Sequence, residues 1–112
     1  MNELPFKVMP KGSMMKYGGH MVDRNLQNHK DLVTLLKSLR IQKGEKKYYS
    51  LDAEFSGDYR AGGNDIDKLL RNLLDALTKA SIIWDDSYIK EVRAVRVKGK
   101  DSVKFELKEV TE

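Results

Sequence analysis

Residues 62–86 read GGNDIDKLLRNLLDALTKASIIWDD. Ile66, Leu69, Leu70, Leu73, Leu74 and Leu77 recur at the spacing of one helical face. At ~100° per residue they fall within an arc of roughly 140°. Lys68, Arg71, Asn72, Asp75, Thr78 and Lys79 fall outside it. The stretch therefore reads as an amphipathic helix that opens after two glycines and ends before a Trp-Asp-Asp turn. Aspartates stand at both of its ends: Asp65 and Asp67 at the start, Asp85 and Asp86 beyond the finish.

Upstream of this helix, Tyr49, Leu51, Ala53 and Phe55 alternate with Ser50, Asp52 and Glu54, the pattern of a strand with one wet face. Residues 57–63, GDYRAGG, form the loop between the two. Before the strand, Leu32, Leu35, Leu36 and Leu39 line a helix expected from about Asn28, with Asn28 as its N-cap. KGEKK, residues 43–47, is a turn. Leu4, Phe6 and Val8 alternate with Pro5, Lys7 and Met9 as a first strand stopped by Pro10. Residues 11–27 make a long connection carrying Gly12, Gly18 and Gly19. Downstream, YIKEVRAVRV and SVKFELKEV flank the turn KGKD, which reads as a terminal hairpin. The expected order is β-α-β-α-β-β: a single small α+β domain, residues 1–112, with a mixed sheet and two helices.

Composition narrows the function classes. The 112 residues suit one domain with a modest core, of a size that often gains stability by pairing with a copy of itself. A formal net charge of +4 permits a polyanionic partner. The absence of cysteine excludes disulfides, thiolate metal sites and a cysteine nucleophile, and it suits a reducing cytosol. No signal-peptide core and no membrane-spanning apolar run is present. The expectation is a soluble cytoplasmic protein without a membrane partner.

The aspartates admit two readings. Asp at a helix start accepts backbone N–H bonds and favours the positive end of the helix dipole, and WDDS is ordinary turn chemistry. Alternatively, if the chain is still extended at Asp65 and becomes helical near Asp67, the two carboxylates converge. Arg71 then lies one turn beyond Asp67 on the same helix edge. Asp85 and Asp86 start the next strand, which can neighbour the segment carrying Asp65.

Asp65, Asp67, Asp75-Ala76-Leu77 and Asp85-Asp86 stand in an order and spacing that resembles the signature of the RusA family of Holliday junction resolvases, endodeoxyribonucleases of bacteria and their phages. The match covers about a quarter of the chain, and the element order extends it more weakly. The resemblance implies that Asp65, Asp67 and Asp86 are catalytic and hold Mg²⁺, with Mn²⁺ as a substitute. Arg71 falls where the family has a catalytic lysine, and Lys68 where it has an asparagine. A flat guanidinium replaces a compact ammonium, which Lys68 partly restores. Asp85 is expected as a turn residue beside the site. The resemblance further implies a homodimer acting on branched DNA, above all the four-way junction, whose approximate two-fold symmetry a C2 dimer matches. Lys11, Lys16, Arg24 and Arg60 are candidate phosphate contacts, as are Arg93, Arg96 and Lys98. The rival readings are a branched-DNA-binding protein of the same fold without turnover, and a nuclease of broader specificity.

Other residues attract simpler explanations. His20 and His29 lack a partner at metal-ligand spacing. Met14, Met15 and Met21 are expected to pack within their loop, and Trp84 and Tyr88 to anchor the core. GGH and AGG lack the strand–glycine loop–helix context of nucleotide binding.

Overall fold

A computed structural model describes residues 1–11, 14–23, 25–59 and 66–111. The element order is β1 (Asn2–Leu4), β2 (Met14–Tyr17), β3 (His20–Asp23), α1 (Leu26–Leu39), β4 (Tyr49–Ser56), α2 (Ile66–Lys79), a 3₁₀ turn (Asp86–Tyr88), β5 (Ile89–Val97) and β6 (Ser102–Glu109). β1, β6, β4 and β5 lie side by side in that order in one sheet, and β2 and β3 form a separate hairpin. β4 runs parallel to β5 and antiparallel to β6, so the sheet is mixed and the domain is α+β.

β4 is the strand around which the rest is built. Tyr49, Leu51, Ala53 and Phe55 are buried against the helices, while Ser50, Asp52 and Glu54 are only half covered on the other face. Phe55 and Phe105 from the sheet meet Leu32 and Leu36 of α1 and Leu69, Leu73 and Leu77 of α2. The open face carries surface ion pairs, Arg93 to Asp52 at 3.5 Å and Lys104 to Glu54 at 3.8 Å. Such exposed pairs contribute little to stability individually. None of the helices among the described residues is long and apolar enough to cross a membrane.

Several local expectations are corrected. β5 and β6 do not form a hairpin, because β4 lies between them. The apolar strand β4 has two edges to satisfy deep in the core, whereas β5 is exposed along most of its length and takes the sheet edge. The short turn after β5 passes over the end of β4, close enough that a Cβ on Gly99 would meet Ser56 Oγ at 3.0 Å. The first strand stops at Leu4 rather than continuing to Val8, since Pro5 has no N–H for the ladder.

The connection after Pro10 contains the β2–β3 hairpin, turned by Gly18 and Gly19 at φ 57° and 84°. Paired positive φ is what a tight right-twisted hairpin turn requires. α1 begins at Leu26, and Asn25 occupies the cap position without a side-chain cap bond. Asn28 serves another purpose: it accepts from the Met9 N–H at 3.0 Å and donates to Lys7 O at 2.9 Å.

Trp84 is 50% exposed and Met21 62% exposed, so neither anchors packing. The turn after α2 inserts Ile82 and Ile83 into the core instead, and this turns Trp84 outward beneath the Lys46 ammonium, 5.2 Å from the ring centre.

Candidate functional site

Parallel pairing of β4 and β5 brings their carboxyl ends, Ser56 and Val97, to one edge of the sheet. Open α/β units bind ligands at that edge. Here it carries an open groove of ≈ 270 Å³ lined by Gly57, Asp58, Tyr59, Arg96, Val97 and Lys98. Lys7 reaches the same place, donating to Asp58 O at 2.9 Å, with its ammonium 5.1 Å from the Tyr59 ring centre. Tyr59 OH donates to Val8 O at 2.8 Å. Burial, with the Asp101 charge adding to it, pushes the phenol up to about 12, so Tyr59 stays protonated and acts as a strut.

The start of α2 is tied to this edge. Lys11 N–H donates to Lys68 O at 3.2 Å, and Asn72 Nδ2 donates to Met9 O at 2.9 Å. Asp67 lies exposed in the first turn, Lys68 is half-buried beside it, and Arg71 is exposed one turn on. Free backbone N–H groups and the helix dipole favour anions at such an end, phosphate oxygens included. Lys11, expected on DNA, is engaged with Asp75 at 2.5 Å. Lys16 sits on β2. Arg93 and Arg96 lie exposed on β5, and Lys98 follows it. Asp65, Arg24 and Arg60 lie outside the described residues.

Asp86 stands elsewhere. It opens the 3₁₀ turn, which Asp85 caps by accepting from Ser87 Oγ at 2.6 Å and from Ser87 N–H at 3.4 Å. The Ser87 hydrogen bond holds the Asp85 carboxyl below its ordinary range, which matches its expected part as a turn residue. The turn rests against the start of β4, with the Tyr48 and Tyr88 rings 5.1 Å apart. α2 runs back antiparallel to β4, and its 14 residues span ~20 Å. Asp67 at its first turn and Asp86 beyond its last therefore occupy opposite ends of the helix within one chain. Among the described residues no group of three His, Asp or Glu side chains is placed to hold a metal ion.

The polar feature missed in the sequence is the one the core encloses. Asn72 is fully buried, on the flank of α2 that faces α1. Its Oδ1 lies 2.6 Å from His29 Nδ1, and its Nδ2 also donates to Asn28 Oδ1 at 3.1 Å. His29 Nε2 lies 2.9 Å from Lys79 Nζ. An ammonium only donates, so Nε2 accepts, Nδ1 carries the proton, and the imidazole is neutral. Burial is the main cause holding His29 below its ordinary value, with the Lys79 and Lys11 charges adding to it; the Asn72 hydrogen bond opposes. This histidine is a structural strut.

The chain matches no protein-family model and no curated protein sequence.

Proposed function

We infer that this protein is a RusA-like, Mg²⁺-dependent, structure-selective endonuclease that acts as a homodimer on branched DNA, above all four-way junctions, in cytoplasmic recombination and repair. The observation that carries the reading is the array at the start of α2: Asp67, Lys68 and Arg71 share the first turns of the helix that follows the carboxyl end of β4, the strand end at which the groove bearing Arg96 and Lys98 opens. The signature-like order of residues 65–86 supports it.

The carboxylates that the resemblance assigns, Asp65, Asp67 and Asp86, have the donor chemistry Mg²⁺ prefers, although within one chain Asp86 stands beyond the far end of α2 from Asp67. That ion, or Mn²⁺ in its place, would supply a water of lowered pKa and polarise the scissile phosphate. The chain's own cations do the remaining work. Arg71 offers a planar fork of donors to two phosphate oxygens, and Lys68 adds a point charge one residue from Asp67. Both stabilise charge as it builds on the phosphoryl oxygens. Lys7, Arg96 and Lys98 give the backbone of a DNA arm a positive track without reading its sequence.

Incubation with an end-labelled four-way junction and Mg²⁺ tests this directly. Paired nicks that disappear on chelation and in Asp67→Asn are expected. A protein that shifts the junction without cutting it is the non-catalytic binder instead. Equal cutting of flaps, forks and junctions at fixed salt identifies the broader nuclease. Affinity should fall steeply with salt, as counterion release requires.

A further inference from the structure

We propose that the surface built by residues 43–48 and 84–90 binds single-stranded nucleic acid, with an unpaired base stacked on Trp84 and its phosphates on Lys43 and Lys46. The inference rests on this surface and not on the nuclease reading.

Trp84 is half exposed although it directly follows two buried isoleucines, and the turn that displays it is braced. α2 closes at Ser81, which takes a left-handed φ of 60°, and Ile82 N–H then donates back to Leu77 O at 2.9 Å. Such a close turns the chain back toward the core, where Ile82 and Ile83 are seated. The 43–47 turn clamps this corner from outside: Gly44 N–H donates to Ser81 O, and Gln42 Nε2 donates to Ile82 O at 2.7 Å. With both sides of the corner tied, the indole stands outside as a fixed ledge. Leaving half of so large an apolar side chain in water forgoes stabilisation that burial would supply, so packing does not account for the display.

The surroundings of the ring are cationic and polar. Lys46 Nζ stands 5.2 Å from the ring centre, and an open recess of ≈ 280 Å³ beside the ring is walled by Lys43, Gly44, Thr78, Ser81 and Ile83. Lys43 and Lys46 are exposed and make no ion pair among the described residues. Most nearby acids are engaged: Glu45 and Glu109 lie on Lys47 at 3.2 and 3.8 Å, and Asp85 accepts from Ser87 Oγ at 2.6 Å. Asp86 on the 3₁₀ turn and Glu91 on β5 stay exposed. The pairing of ring and ammonium recurs on the same two segments. The Tyr48 and Tyr88 rings lie 5.1 Å apart, and Lys90 Nζ stands 4.3 Å from the Tyr48 centre.

An aromatic face with a cation beside it suits a base together with its phosphate, since every base has a π-face and every phosphate a charge. A protein partner fits less well. Interface centres are depleted in lysine, and among the walls of this recess only Ile83 is apolar. Duplex DNA hides its base faces within the stack, so the strand that fits is unpaired. The second aromatic group favours a strand of several nucleotides over a single one.

Trp84 is the only tryptophan, so its emission reports on this surface. Titrating the intact protein in EDTA with oligo(dT) of about ten nucleotides should quench that emission saturably, and a duplex of the same length should quench it far less. With a fluorescein-labelled strand followed by anisotropy, Trp84→Ala should bind roughly 5- to 150-fold more weakly, the worth of one stacked base, and Trp84→Tyr should stay close to the parent. Lys46→Ala should lower the slope of log affinity against log salt by about 0.7. Binding by Trp84→Ala equal to the parent's, in a variant whose circular dichroism matches it, overturns the proposal, as does equal quenching by the duplex. Equal quenching by thymidine monophosphate at matched base concentration makes this a nucleotide site and overturns the strand. Emission that shifts when the protein alone is diluted shows a second copy covering Trp84, and overturns it too. The assay is blind to cleavage. A strand bound here with a junction never cut in Mg²⁺ overturns the nuclease reading alone, and the reverse result overturns this inference alone.

Discussion

Replacing Asn72 by alanine should unfold this protein far more readily than its place in the helix pattern suggests. The side chain is fully buried and makes three hydrogen bonds, to His29, Met9 and Asn28. Alanine leaves His29 Nδ1–H and Met9 C=O without partners; Asn28 Oδ1 keeps the Met9 N–H. The buried His29 group costs about 1–3 kcal/mol and the part-buried Met9 carbonyl less, so a loss of about 3 kcal/mol is expected. A domain of this size has roughly 6–17 kcal/mol to lose. The melting temperature should fall by about 15 °C. Urea titration followed by far-UV circular dichroism is the suitable assay, because the lone tryptophan is half exposed in the folded state and reports burial poorly. His29→Ala in the same background completes a double-mutant cycle, in which the pair should couple by at least about 0.5 kcal/mol. A loss below about 1 kcal/mol for Asn72→Ala, or strict additivity with His29→Ala, refutes the buried network.

Because the His29 imidazole is held below its ordinary value of 6.5, chiefly by burial, the unfolded chain binds the proton first as pH falls. The His29 contribution is thus present above about 6.5 and is lost as pH drops below it, and His29→Gln should flatten the fall in urea midpoint between neutral and acid conditions. Gly44→Ala should cost about 1–3 kcal/mol, since the new Cβ would meet backbone Ile83 O at 2.8 Å, and Trp84 emission should report the displaced turn. Asp67→Asn should abolish cleavage while changing stability by under about 1 kcal/mol, the size of a carboxylate–dipole interaction at an exposed helix start; a larger loss with cleavage intact would return Asp67 to capping.

The parts legible from the chain alone are those whose periodicity is local. The alternation in residues 49–55 and the leucine spacing in 66–77 each name an element by themselves, because burying one face requires that spacing. Asn72 defeats this reasoning. An apolar arc assigns every polar residue to the outside, and nothing nearby in the chain announces that Met9, Asn28 and His29 will converge on it. The Gly18-Gly19 pair is a hairpin signal, but strands of only four residues on either side leave too short an alternation to tell them from a loop.

Composition and pattern by themselves determined a single α+β domain, its two helices, its buried strand and the acidic, basic and amphipathic character of residues 65–86. Only the tertiary structure decided neighbours. It put β4 between β5 and β6, since the most buried strand must have partners on both edges. By making β4 and β5 parallel it sent α2 back along the sheet, which parts Asp67 from Asp86 by a helix length. Spacing along a chain constrains distance only within an element; across a crossover, the direction of the strands sets it.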